Sequence, residues 1–301
     1  MRARTVLVTG GSSGIGRATV KRFARGGDRV WFTYRHGRER ARELVGRLAA
    51  EGIGRVAALE FDQGEWESQR ALLEQVPEPV DALINNAAVG SKTVERYAPA
   101  DERAQDLAMF RVNSVGPLWL TGQLVPGMLE RGYGKIVNIS SVGGGVTQYP
   151  GFRLADGMSK AALAYFSRQL SAELAHAPVD VFAVCPGAVE TSMFEASTLG
   201  RLSAAQRAEL VSRLPKGRLI QPAEIAELVW WLCGDDARVL HGAVLDCSLG
   251  LGVHPGLLTG GGFPGHGGEA GPAHAEPAPN PADPPAATSA VAVITAAVGG
   301  T

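Results

Sequence analysis

In the stretch "FRLADGMSKAALAYF" (residues 152–166), Asp156 stands four residues ahead of Lys160. On a helix that spacing puts a carboxylate and an ammonium on one face. Exposed, the pair is a salt bridge contributing about 0.3–0.5 kcal/mol. Enclosed, it is a proton-handling site, because a nearby ammonium favours the ionised carboxylate. A second constellation lies in "VLVTGGSSGIGRATVKRF", where Gly10, Gly14 and Gly16 fall between an apolar run and an amphipathic one. Glycines let a chain turn tightly and approach a pyrophosphate, whose charge is then met by the amides of a helix N-terminus. A third is "TYRHGRER", which presents Arg35 and Arg38 after an apolar run and carries no acidic residue where a ribose hydroxyl would need one. A guanidinium there suits a ribose 2'-phosphate; the other reading is a solvated basic helix start.

These residues need a scaffold. The apolar runs "TVLVTG", "RVWFTYR", "VAALEFD", "VDALINN", "KIVNISS", "VDVFAVCPG" and "GAVLDCSL" predict seven buried strands. Helical patterns between them predict helices near 14–26, 38–50, 65–75, 102–131, 157–176 and 222–233. Such alternation predicts an α/β fold with a doubly wound, seven-stranded parallel sheet and a ligand crevice at the carboxyl ends of its strands.

Composition narrows the partners. The 301 residues are 45% hydrophobic, with 29 Lys plus Arg against 30 Asp plus Glu, so no basic footprint for nucleic acid or anionic membrane exists. A small molecule is the expected ligand. Cys185, Cys233 and Cys247 lack metal-ligand spacing, so no metal is expected, and a cytoplasmic location fits an odd number of cysteines without a secretory signal. One domain is expected over 1–251. From 252 to 301 the chain is rich in Gly, Pro and Ala, which predicts a flexible tail; its terminal "SAVAVITAAVGG" is either a sticky end or a strand that docks on a neighbouring subunit.

The pattern Thr9-Gly10-x-x-x-Gly14-x-Gly16 resembles the signature of the short-chain dehydrogenase/reductase family, and the match continues through "FD" (Asp62), "NNAA" (Asn85–Ala88), "VNSVG" (Asn113), "NISS" (Ser141), "SKAAL" (Lys160), "PGAVET" (Thr191) and "QPAEIA". It covers roughly residues 4–250. The resemblance implies a Rossmann-type fold that binds NADP(H), in preference to NAD(H), through Gly10, Ser12, Ser13, Gly14, Ile15, Gly16, Arg35, Arg38, Asp62, Asn86, Ala87, Lys160, Pro186, Gly187 and Thr191. It implies that Ser141 orients a substrate oxygen, Lys160 holds the nicotinamide ribose and Asn113 orders a water relay. It also implies a homodimer or homotetramer, since the family commonly pairs its long helices between subunits.

One position departs from the family. The residue four before the lysine is there a tyrosine whose phenol protonates the substrate oxygen, and here it is Asp156, with the loop from Ser141 two residues longer. A carboxylate oxygen stops about 3–4 Å short of a phenol oxygen. Three readings follow: reduction of a carbonyl or activated double bond, with ordered water or Tyr149 on the longer loop handling the proton; dehydration, isomerisation or cyclisation with Asp156 as base; or nucleotide binding without catalysis. Between Ala188 and Pro222 the family places a mobile substrate lid. Met193, Phe194, Leu199 and Leu202 there suit either an apolar substrate or a lid packed on itself.

Overall fold

The computed structural model describes residues 3–99, 101–147, 153–200 and 202–253. The expected tail therefore lies outside the described residues except for Gly252 and Val253, and so does Tyr149.

All seven apolar runs pair in one parallel sheet of order β3-β2-β1-β4-β5-β6-β7. The strands are β1 (Thr5–Val8), β2 (Arg29–Tyr34), β3 (Val56–Glu60), β4 (Ala82–Asn85), β5 (Gly134–Ile139), β6 (Val179–Pro186) and β7 (Val244–Cys247). Parallel neighbours need crossovers, and the helices supply them on both faces. Side chains alternate along each strand. Val6, Val8, Val30, Phe32 and Ile84 face α1 (Gly14–Arg25), α2 (Arg38–Ala50) and α10 (Pro222–Leu232), meeting Val20, Phe23, Leu44 and Val229. Leu7, Leu83, Ile136 and Val181 face the other way, against Leu72 of α3 (Trp66–Gln75) and Leu120 and Met128 of α5 (Gly116–Glu130). Each such side chain contributes about 1.5–3 kcal/mol on burial. The strand order reverses between β1 and β4, which are bonded in register from Val6 to Ala82, so the crevice opens beyond Val8 and Asn85.

Two expected helices differ in detail. The pattern read as one helix over 102–131 is α4 (Glu102–Phe110) and α5, joined by a π-helical turn at Arg111–Val115 that carries Asn113 inward to 1% exposure. The helix expected over 157–176 is α7 (Leu154–Glu173). It starts a turn earlier because Arg153 is extended and clamped to α4 by two bonds to Asp106, at 3.0 and 2.7 Å, and one to Gln105 at 2.8 Å. Asp156 consequently sits in the first turn, where the helix dipole favours negative charge. After β5 comes the one-turn α6 (Val142–Gly145). The lid segment holds helices that its sequence pattern did not announce: α8 (Ser192–Phe194), a π turn at Glu195–Leu199, and α9 (Ala204–Arg213), which opens on a Ser203/Gln206 capping box. Among the described residues no helix is long and apolar enough to cross a membrane.

Candidate active site

The glycine turn after β1 is packed too closely for side chains. A Cβ on Gly16 would lie 2.3 Å from the Gly10 carbonyl oxygen, and Gly10 itself has φ +67° with Ala87 Cα 2.9 Å from its missing Cβ. The cradle is tied to β4 by one hydroxyl: Thr9 Oγ1 accepts from Asn86 N (3.0 Å) and Ala87 N (2.9 Å). Asn86 Nδ2 donates back to the Thr9 and Gly10 carbonyls at 2.8 and 3.2 Å. Asn86 therefore shapes the turn and has both amide hydrogens engaged. Ser13 is the N-cap residue of α1, and Ile15 packs on the core below. Gly187 follows Pro186 at the end of β6, and its missing Cβ would lie 2.9 Å from Ser248 Cβ. Thr191 closes the crevice from the lid: its methyl lies 3.1 Å from the missing Cβ of Gly14, and its hydroxyl caps α8 through Phe194 N at 3.2 Å.

Beyond β2, Arg35 Nε pairs with Asp62 at 2.7 Å and its guanidinium lies 3.9 Å over the Tyr97 ring. Tyr97 donates its hydroxyl to the same carboxylate at 2.8 Å, and burial followed by that carboxylate raises the phenol's pKa. Arg38 pairs with Glu60. The buried Ser12 hydroxyl and Arg40 Nη2 converge on Gly37, the N-cap of α2, at 2.6 and 2.9 Å from its missing Cβ. Arg35 and Arg38 stand in the expected segment after β2, and the fold brings Arg40 and Tyr97 beside them, which the sequence pattern does not single out. Arg40 looks like any basic residue of a helix's first turn until Ser12 is seen against Gly37. The glycine cradle and these cationic groups fit a dinucleotide.

The catalytic candidates gather beyond β4 and β5. Ser141 caps α6, accepting from Gly143 N at 3.2 Å. Lys160 is buried and donates its ammonium to the Ile139 carbonyl at 3.0 Å; burial lowers its pKa, against the pull of Asp156 and Cys185. Asn113 is saturated. Its Oδ1 accepts from Val89 N at 2.9 Å, and its Nδ2 donates to Val89 O at 2.9 Å and Ser159 Oγ at 3.0 Å. That side chain is a staple between the π turn, the β4 loop and α7.

Asp156 is only 7% exposed. Its Oδ2 accepts two hydrogen bonds from one residue, Ser91: from the amide at 2.9 Å and from the hydroxyl at 2.8 Å. Met193 of the lid covers the spot, with Sδ 3.3 Å and Asp156 Oδ2 3.7 Å from the missing Cβ of Gly90. The surface salt bridge is thus replaced by an enclosed carboxylate whose partner lies 65 residues away in sequence. Nothing in "VGSKTVERY" marks Ser91 as different from a loop serine. The buried thiol of Cys185, by contrast, is pushed up to about 11 chiefly by burial, which makes it a poor nucleophile.

Comparison with known proteins follows the same lines. The short chain dehydrogenase family model matches residues 4–201. An acetoacetyl-CoA reductase of Allochromatium vinosum is 34% identical over 257 residues, spanning 84% of this chain and 100% of the relative. A variant of the actinorhodin polyketide ketoreductase, crystallised with NADPH, superposes with a TM-score of 0.74 at 32% identity, covering 83% of this chain and 97% of that one. A 3-oxoacyl-[acyl-carrier protein] reductase from Brucella melitensis with bound NAD gives 0.71 at 27% identity, covering 82% and 90%. On the extent of these matches, the chain belongs to the short-chain dehydrogenase/reductase family and is an oxidoreductase of that type.

Proposed function

We propose that this oxidoreductase uses NADPH to reduce a carbonyl or activated double bond of a small, largely apolar metabolite such as a β-ketoacyl thioester, in secondary metabolism. The observation that carries the reading is the enclosure of Asp156 beside Lys160 and under Met193, at the mouth of a crevice shaped for a dinucleotide. When bound, the nucleotide supplies the hydride. The residues of the chain do the rest. Ser12, Ser13, Gly14 and Gly16 take the pyrophosphate on backbone amides, while Gly10, whose amide donates to Thr33 Oγ1 at 3.1 Å, turns the chain beneath it; Arg35, Arg38 and Arg40, with Ser12, take a 2'-phosphate; Asp62 and Thr191 flank the two ends. Lys160 holds the ribose, and Ser141 orients the substrate oxygen. Asn113, fully bonded, keeps the π turn and the β4 loop in place. Hydride transfer depends chiefly on holding the two partners in position, which this enclosed site is built to do.

Acetoacetyl-CoA, the substrate in the name of the Allochromatium relative, is the first test compound. Steady consumption of NADPH in its presence, with NADH much poorer, is the expected result. Product formed without nucleotide consumption would instead identify a lyase or isomerase in which the Asp156 carboxylate is the base. Tight nucleotide binding with neither reaction across a panel of β-ketothioesters and cyclic ketones would identify a binding protein. We also propose assembly into a homodimer or homotetramer through α4, α5 and α7, whose outer faces expose Leu107 (72%), Leu118 (48%), Met158 (57%) and Tyr165 (70%).

A further inference from the structure

The Asp156 carboxylate carries a second side chain. Ser91 Oγ lies 2.8 Å from Asp156 Oδ2, a span close to the roughly 3–4 Å by which a carboxylate falls short of a tyrosine hydroxyl. The Ser91 amide grips the same oxygen at 2.9 Å, so the hydroxyl is held in line with the carboxylate by its own backbone. Asn113 fixes the strand of loop that carries it, through both polar groups of Val89. We propose that Ser91 is a catalytic residue of the reduction, and that Ser91 and Asp156 together act as a two-step proton relay in place of a single phenol.

Hydride arriving at the substrate carbon pushes the carbonyl π electrons onto oxygen. That oxygen takes the proton of Ser91 Oγ–H, and Ser91 Oγ takes a proton that the Asp156 carboxylate has first accepted from solvent. Asp156 is left as a carboxylate that accepts the Ser91 hydroxyl and amide, the arrangement seen in the structure, and is reloaded from solvent. In the oxidative direction the same protons run backwards, from the alcohol through Ser91 to the carboxylate. The inference rests on the redox reading above and goes beyond it in naming the donor.

The test uses the full chain with NADPH and acetoacetyl-CoA. Ser91→Ala keeps the amide and removes only the hydroxyl. It should lower kcat about a hundredfold, the low end for general acid catalysis, while leaving NADPH affinity and melting temperature nearly unchanged. Ser91→Thr should restore most of the rate. In mixtures of H2O and D2O the unmodified protein should show a curved dependence of rate on deuterium content, two protons being in motion, and Ser91→Ala should lose the curvature. If Ser91→Ala unfolds, Ser91→Cys keeps the packing with a weak donor and should show the same loss. A readout independent of turnover is hydrogen exchange at the Ser91 amide, which should be protected in the unmodified protein and accelerated in Asp156→Ala. Turnover of Ser91→Ala within twofold of the unmodified protein, with the redox activity intact, overturns the relay alone. An unmodified protein that binds NADPH and never oxidises it overturns the reductase reading and the relay with it; rapid exchange of the Ser91 amide overturns the geometry on which the relay stands.

Discussion

At the residue scale, charge and burial decide what each group can do. Arg35 is engaged with Asp62 and Tyr97, and its side chain is 35% exposed, within reach of an incoming phosphate. Losing a charge-assisted phosphate bond costs about 1.5–3 kcal/mol, so Arg35→Ala should weaken NADPH roughly ten- to hundredfold and NADH far less. Calorimetric titration with both nucleotides checks this, and equal losses would count against the 2'-phosphate assignment. Thiols at Cys185 and Cys233 are pushed up to about 11 and about 12, mainly by burial. Since the thiolate is the reacting form, both should resist iodoacetamide at neutral pH until the protein is unfolded, as mass spectrometry of the alkylated peptides would record. Labelling of folded protein at either site would refute this.

At the element scale, the π turn between α4 and α5 presents Asn113 to the β4 loop and α7 at once. Asn113→Ala leaves the part-buried Val89 amide without its acceptor and the buried Ser159 hydroxyl without a donor. An unsatisfied buried group of this kind costs about 1–3 kcal/mol, which for a domain of this size should lower the melting temperature by several degrees. Activity should fall by more than the stability loss explains, because Val89 leads directly to Ser91. A loss of activity no larger than the fraction unfolded would contradict that coupling. Elements were also the most legible level of the sequence. Strands such as "VDVFAVCPG" are buried on both faces and read as continuous apolar runs, and Gly10, Gly14 and Gly16 stand where only glycine fits. The amphipathic pattern over 102–131 gave the helix but could not reveal the π turn, because one extra residue in a turn barely disturbs a helical period. Contacts were the illegible level. Ser91 meets Asp156 across 65 residues, and Asn113 meets Ser159 across 46, so neither bond leaves a mark in local spacing. The glycine motif is legible because it is local, whereas the Ser91 bond to Asp156 is hidden because it is tertiary.

At the scale of the whole molecule, the sheet is covered on both faces while the outer surfaces of α4, α5 and α7 keep large apolar side chains exposed. Scattered singly such residues need no explanation, but on neighbouring helices they support association. Met158→Lys combined with Tyr165→Lys should therefore shift the assembly toward monomer in sedimentation velocity, without loss of secondary structure. An unchanged sedimentation coefficient would place the subunit contact elsewhere. The effect on turnover should exceed that on nucleotide affinity, because α7 carries both Asp156 and Lys160.

The hydroxyl of Thr9 receives the first two amides beyond β4 while its own backbone opens the glycine turn beyond β1. Both lips of the crevice therefore belong to one rigid body, and their order is established when the sheet forms. Fixing a backbone residue costs about 1–2 kcal/mol of entropy, a cost that an arriving dinucleotide meets less of where the segments are already hydrogen-bonded to one another. Thr9→Val keeps the side-chain shape and removes the oxygen that ties the two lips together, so the affinity it loses measures what that tie contributes.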